Sequence, residues 1–416
     1  MMLDHLHRDA KLIMVSRGVR AFAFSYLNVV FAIYLNQLGF STVIIGMVFS
    51  VAYISGALLT AVWGLLSDRY GRKKILILLA ILTILSNTIY IFFSHLFFIL
   101  SAVVIANVGA GGSAGGGQGG GPFNPVEQAL LAEKCEPENR NLIFSINSFV
   151  GSIMGSLGAL ASGVPQHLQE QWGWEPIASY RPLFALTALF TIALIFVYQA
   201  IGEEHRPAAM KRMISKQSGA FVTKLSLLGI VDNLGAGLIG PLVSYWFFLR
   251  FGVELKSLGV MFFLSYFFAA LSFLAAPVIA RRIGVVRTMV FSHAIASVLN
   301  LALAFAPTFS VAGIILVVRS FLAYMDNPLR ESYTMAMVKP EERGSAAGVT
   351  NLARVVPFGI SPTLSAYMMQ NLSLSVPLVI GGSLQLINDC AFYYLFRHIK
   401  PPEEKTVIRN PKGIAS

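Results

Sequence analysis

Twelve stretches of this chain are each apolar over the roughly 20 residues that a helix needs to cross a hydrocarbon core. Their limits are 12–38, 42–66, 74–94, 96–134, 142–163, 181–201, 221–249, 256–279, 288–306, 309–337, 345–370 and 376–397. A soluble fold has no interior large enough for them. Only 12% of the 416 residues are charged, against about 25% in an average soluble domain. The runs far exceed the roughly 10-residue alternating segments of a membrane barrel. Disorder needs low hydrophobicity, and two cysteines, Cys135 and Cys390, cannot staple a disulfide scaffold. The fold class that remains is an all-α polytopic membrane protein with twelve transmembrane helices.

One stretch is too long. At 1.5 Å per residue, 96–134 would extend about 58 Å across a core of about 30 Å. It contains the glycine run Gly109–Gly121, and a break is expected at Gly121-Pro122. Irregular backbone at membrane depth is tolerated only inside protein or beside a polar cavity, so the break marks a cavity. The run also spells a dinucleotide spacing (Gly115, Gly117, Gly120) and a nucleophile elbow (Gly111 to Gly115). Neither follows the strand its chemistry requires, and composition alone generates both.

The net charge of +11 is resolved by topology. An even number of spans puts both termini on one side. Of the 31 Lys and Arg residues, twenty-two fall on that side, three on the other and six within spans. Basic residues stay in cytoplasmic loops, so both termini are expected in the cytoplasm, with no nucleic-acid partner and no cleavable leader.

The chain is also duplicated. A shift of 213 superposes Gly39, Gly46, Phe49, Tyr53, Leu58, Arg69 and Gly71 on Gly252, Gly259, Phe262, Tyr266, Leu271, Arg282 and Gly284. A shift of 203 superposes Asn124-Pro125, Pro137-Glu138 and Arg140 on Asn327-Pro328, Pro340-Glu341 and Arg343. Two homologous six-helix bundles are expected, 1–201 and 221–397, with a linker at 202–220 and a tail at 398–416. The repeated Asn-Pro pair predicts helix breaks at matching depth in spans 4 and 10.

Between spans 2 and 3 the chain reads Gly64-Leu65-Leu66-Ser67-Asp68-Arg69-Tyr70-Gly71-Arg72-Lys73-Lys74. This resembles the loop signature of the major facilitator superfamily, and the resemblance extends through the duplication to a degenerate second copy in which Arg281 replaces the aspartate. Such a resemblance implies a secondary transporter that rocks two bundles about a central site. Gly64, Asp68, Arg69, Gly71 and Arg72 would form its cytoplasmic gate. Gly64 would let helix 2 approach a neighbour, Gly71 would make the tight turn, and Asp68 would pair with Arg72 and cap a facing helix near Gly344-Ser345. A purely topological reading explains the basic residues but not an acid and two glycines at fixed offsets. Helix 1 and the loop resemble the multidrug-efflux-like branch. Span 5, with Gly151, Gly155 and Gly158, lacks the antiporter signature of that branch and reads as close helix packing.

Eleven charges fall inside spans: Arg17, Arg20, Lys224, Arg319, Arg330 and Arg354, with Glu127, Asp232, Asp326, Glu331 and Asp389. Each is costly in lipid and marks function. Nine lie on spans 1, 4, 7 and 10, which the family resemblance assigns to the cavity wall. Arg17 and Lys224 are near enough to the surface to snorkel, and Asp326 and Arg330 can neutralise each other at i, i+4. Arg20, Glu127 and Asp232 need an interhelical partner or a substrate. The expected substrate or proton site is therefore Arg20, Gln118, Asn124, Glu127, Asp232, Asn233, Asp326, Asn327 and Arg330. His293, alone within a span, reads as a packing residue.

No metal-ligand, nucleotide or nucleophile–base pattern is present, so an enzyme, a metal site and a cofactor have no sequence support. The expected function is transport of a small organic solute across the plasma membrane by a monomer in the lipid bilayer. Protons are the candidate coupling ion through Glu127 and Asp232, and efflux is favoured. A facilitated uniporter or importer of a metabolite, and a transport-dead sensor on the same fold, are the alternatives.

Overall fold

The computed structural model describes residues 8–106, 121–134, 140–202, 216–338 and 343–397. Sixteen α-helices run through them. The first half comprises α1 (Arg8–Gln37), α2 (Thr42–Tyr70), α3 (Arg72–Phe92), α4 (Leu96–Ala106), α5 (Phe123–Glu133), α6 (Arg140–Leu160), α7 (Val164–Trp172) and α8 (Arg181–Gln199). The second comprises α9 (Lys216–Ile239), α10 (Val243–Phe251), α11 (Leu255–Ile283), α12 (Val285–Ala304), α13 (Phe309–Met337), α14 (Arg343–Phe358), α15 (Ser361–Asn371) and α16 (Val376–Phe396).

Nine stretches of the described residues are long and apolar enough to cross a membrane. Three further spans complete the twelve. The fourth is divided between α4 and α5, the eleventh between α14 and α15, and the twelfth is α16, whose hydropathy is lowered by Gln385, Asn388 and Asp389. Gly121 has φ 68°, a conformation that favours glycine, and a turn at Gly121-Pro122 precedes α5, which begins at Phe123; residues 107–120 lie outside the described residues.

Helix breaks do not follow the repeated Asn-Pro. Asn124-Pro125 sits in the first turn of α5, where a missing N–H costs nothing. The second copy lies within α13, which runs unbroken from Phe309 to Met337, so the expected break in span 10 is absent. One lost hydrogen bond is compatible with a long helix packed against neighbours. The breaks fall instead in spans 7 and 11. There Gly240-Pro241 separates α9 from α10, and Gly359-Ile360, flanked by Pro357 and Pro362, separates α14 from α15.

The duplication is visible in the packing. In the first half α1 packs on α6, α3 on α8, and α4 on both α2 and α3; in the second, α9 packs on α14, α12 on α16, and α13 on both α11 and α12. Small residues permit the closest of these contacts. Added Cβ atoms at Gly158 and Gly151 would collide with the Phe22 backbone and the Arg17 side chain, so span 5 meets α1 through its glycines.

The halves meet unequally at their two ends. On the side away from the chain termini a single apolar core spans both, drawing Phe31, Val48 and Phe49 together with Tyr245, Phe247, Leu258, Phe262 and Ala366. On the terminus side no described core spans both halves: one is built on Ile13, Leu76, Leu130 and Tyr198, another on Leu225, Met289, Tyr333 and Phe396, with Val222 and Val338 forming a small satellite of the second half. The hydrogen bonds described between halves follow the same division. Asn36 and Thr42 bond the Tyr245 hydroxyl (3.0 and 3.2 Å), Ser50 bonds Thr363 (2.8 Å), and Gln370 accepts from the Val43 N–H (3.1 Å). All lie on the side away from the termini. At Gly64 and Gly348, on the terminus side, an added Cβ would meet nothing within 4 Å. Among the described residues, therefore, Gly64 serves no close helix packing in this conformation.

Closure at the opposite end depends on Gly46, where a Cβ would overlap Ala366 and lie 2.6 Å from the Pro362 carbonyl oxygen. Parting the halves relieves that clash. Gly46→Leu should therefore leave the fold intact and raise several-fold the maleimide labelling of Thr363→Cys, in a background lacking Cys135 and Cys390. Gly158→Leu jams two helices of one half and should lower the melting temperature, overpacking costing about 1–3 kcal/mol.

Candidate functional site

Two clusters of polar side chains are buried at membrane depth, one in each half. The first is built on α1, α5 and α8. Arg20 and Glu127 form an ion pair, each about 1% exposed as a residue. Glu127 also accepts from the Ser16 hydroxyl (2.9 Å) and the Tyr198 hydroxyl (2.7 Å), so both carboxylate oxygens are engaged. The Arg20 guanidinium stacks over Phe123 at 4.6 Å. One turn nearer the termini, Arg17 donates to Asn124 Oδ1 (3.0 Å), which also accepts from Gln128 (3.3 Å). Arg17 is 4% exposed and does not snorkel. Lys224, in contrast, is exposed.

The second cluster draws on α9, α12, α13 and α16. Asp326 and Arg330 pair along α13, with the guanidinium nitrogens 2.7 and 2.9 Å from Asp326 Oδ2, and Arg330 stacks over Phe392 at 5.1 Å. His293 lies between two aspartates, its Nδ1 2.8 Å from Asp389 Oδ1 and its Nε2 3.6 Å from Asp232 Oδ1. The Ser297 hydroxyl donates to Asp389 Oδ2 (2.9 Å). Asn233 turns away and donates to the Gly229 carbonyl of its own helix (2.7 Å).

The duplication explains the shared logic of the clusters. Glu127 and Arg330 each lie three residues past the asparagine of the repeated Asn-Pro, so equivalent positions carry opposite charge. Each belongs to an arginine–carboxylate pair backed by an aromatic ring. The pair bridges α1 and α5 in the first half and closes within α13 in the second.

Of the expected site residues, Arg20, Asn124 and Glu127 gather in the first cluster and Asp232, Asp326 and Arg330 in the second. Gln118 lies outside the described residues, as do the side chains of Asn327 and Asp68. Arg72 pairs with Glu133 (2.9 Å) and donates to the Ala129 carbonyl (3.1 Å), tying α3 to α5. Arg69 is exposed on the terminus side over the Tyr70 ring, and Gly71 turns with φ 102°. Sequence reasoning missed Ser16, Tyr198, His293, Ser297 and Asp389. His293 and Ser297 share an α12 face at i, i+4, and Asp389 was an intramembrane acid off the four favoured spans. Only the fold shows that they meet.

Removing one partner of a buried ion pair costs about 3–5 kcal/mol because the other charge is stranded. Glu127→Gln should therefore cause a large fall in melting temperature. The double variant Arg20→Met with Glu127→Leu, which strands no charge, should recover most of it.

Known proteins agree with this architecture. The family model of the Major Facilitator Superfamily matches residues 13–217 and 225–416. An uncharacterized membrane protein of Saccharomyces cerevisiae is 21% identical over 97% of both chains. The multidrug resistance protein MdtG of Escherichia coli K12 is 26% identical over 54% of this chain and 53% of its own. Among solved structures, a D-xylose–proton symporter superposes with a TM-score of 0.73 at 14% identity, covering 95% of this chain and 98% of that one. The nucleoside transporter NupG superposes with a TM-score of 0.70 at 13% identity, covering 94% and 100%. With its family model matched over both halves, the chain belongs to the major facilitator superfamily of membrane transporters.

Proposed function

We propose that this protein moves a small organic solute across the plasma membrane by alternating access, with both termini cytoplasmic and the described conformation facing inward. The observation that carries this reading is the single apolar core at one end of the molecule and the separate cores of the two halves at the other. Rocking the halves would trade one closure for the other, and the Gly64–Arg72 loop lies on the end that must close next. The solute would bind between the two buried clusters, with Arg20, Asn124 and Glu127 on one wall and Asp232, Asn233, Asp326, Asn327 and Arg330 on the other. The likeness to multidrug resistance proteins favours efflux.

Coupling to protons falls to the second half. Glu127 has its oxygens occupied by Arg20, Ser16 and Tyr198, whereas Asp232 Oδ1 is buried with no hydrogen-bond partner. Asp232 is the carboxylate with capacity to take up a proton.

Counterflow in proteoliposomes tests the transport reading, using a labelled solute selected by thermal shift, since a ligand that binds only the folded state raises its melting temperature. Wild-type protein should exchange the solute. Asp68→Asn should insert normally and slow exchange about tenfold, the factor for losing one charge-assisted hydrogen bond of roughly 1.5 kcal/mol at the gate. Absence of exchange by the wild type removes the transport reading, and full exchange by Asp68→Asn removes the gate. An imposed pH gradient that fails to drive accumulation favours uniport.

A further inference from the structure

We propose that His293, held between Asp232 and Asp389, is the site at which this protein takes up and releases a proton. This rests on the proton-coupled reading above and deepens it by naming the group that holds the proton.

The hydrogen bonds around the ring carry the inference. The Ser297 hydroxyl lies 2.9 Å from Asp389 Oδ2 and from the His293 carbonyl, and Asp389 Oδ1 lies 2.8 Å from Nδ1 of His293; against a carboxylate, Nδ1 is the atom that carries the hydrogen and donates it. Such a carboxylate fixes the ring's orientation and tautomer. Nε2 is then the variable atom, and what it faces is Asp232 Oδ1 at 3.6 Å, a buried oxygen that no hydrogen bond satisfies. Without a proton between them, two lone pairs oppose each other in a medium that screens poorly. One proton converts the contact into an attraction, whether it resides on Nε2 or on Asp232.

The charges packed around the ring leave room for that proton. Asp232 approaches from α9, Asp326 and Arg330 from α13, and Asp389 from α16. The charges of α11, the remaining helix packed on α12, are Lys256, Arg281 and Arg282 at its ends, and Arg287 of α12 itself is exposed. Among the described side chains, three carboxylates thus face one arginine, a net −2 with His293 neutral and −1 after it gains a proton. Asp326 Oδ1, on a residue 3% exposed, is also without a hydrogen-bond partner. The cluster is short of hydrogen, not of acceptors.

Side-chain exposure gives the route. It falls from 22% at Arg330 and 14% at Asp232 to 10% at His293 and 3% at Asp389. A proton from water reaches Asp232 first and forms its O–H. Rotation of the carboxyl brings that O–H toward Nε2, closing the 3.6 Å gap to hydrogen-bond distance, and the proton passes to Nε2, leaving a carboxylate and an imidazolium while the Nδ1 hydrogen stays in its bond to Asp389. Release reverses the step. Because Asp232 belongs to α9, a span that continues through α10 onto the other half, a change at the ring is linked to the contact that rocking must break.

The experiment is a nitrogen-15 histidine NMR titration of the full-length protein in lipid nanodiscs over about pH 5 to 10, the ordinary imidazole range extended upward because carboxylates flank the ring. The proton is the only ligand required. The His293 signal is identified by its loss in His293→Gln. It should show a protonated Nδ1 throughout and a titrating Nε2. The midpoint should move by at least about one pH unit in Asp232→Asn and in Asp389→Asn, the usual effect of an adjacent opposite charge. Ser297→Ala, which removes a hydrogen bond and no charge, should move it less and guards against misfolding of the aspartate variants. An Nε2 that keeps one protonation state over the whole range, or a midpoint common to wild type and all three variants, overturns the proposal. The titration does not depend on a solute. A titrating His293 in protein that exchanges nothing would remove the transport reading alone, and a silent His293 in protein that transports would remove this one alone.

Discussion

A charge in hydrocarbon must be neutralised by something that stays with it, and the interior of this protein is arranged around that requirement. The ion pairs described at membrane depth are each internal to one half: Arg20 with Glu127, Arg330 with Asp326, and His293 with its two aspartates. Contacts between halves are of another kind. They are apolar packing and hydrogen bonds of neutral groups, such as Tyr245 with Asn36 and Ser50 with Thr363. A neutral hydrogen bond is worth about 0.5–1.5 kcal/mol net, whereas splitting a buried ion pair strands a charge at several times that cost. The halves can therefore separate without splitting any of these pairs.

The broken helices fit the same division. α10 packs on α1, and α15 on α2, so the half-helices beyond the breaks in spans 7 and 11 are those that touch the other half. Of their partners, α9 stays packed within its own bundle, and α14 packs chiefly on α9 while also meeting α2. A Gly-Pro or Pro-flanked glycine at the junction lets each span serve two bodies, one end anchored in its bundle and the other applied to the interface. Span 10 has no such duty and stays continuous despite Pro328.

The fold was legible because hydrophobic length and loop charge are properties of the chain itself. Twelve spans, the repeat, and the tight turn at Gly71 followed from counting and alignment. The turn at Gly121-Pro122 followed from length against bilayer thickness. The Asn-Pro pairs misled, because a proline in the first turn of α5 breaks nothing and one within α13 is absorbed by tertiary packing. The site was half legible. Intramembrane charge singled out Arg20, Glu127, Asp232, Asp326 and Arg330, and the structure sorts them into two groups that no spacing along the chain could separate. His293 resisted because its meaning depends on Asp232 and Asp389, which are 61 and 96 positions away and converge only in the bundle.

The two clusters differ in one respect that spacing and charge type conceal. In the first, three donors from Ser16, Arg20 and Tyr198 converge on two carboxylate oxygens, and adding a proton to Glu127 would force one of them away. In the second, Asp232 Oδ1 and Asp326 Oδ1 are buried acceptors with no donor. Buried polar groups in native proteins are ordinarily paired, because each unpaired one costs roughly 1–3 kcal/mol. The duplicated halves have thus diverged in charge as well as in hydrogen-bond supply, with one carboxylate and two arginines in the first cluster and three carboxylates and one arginine in the second.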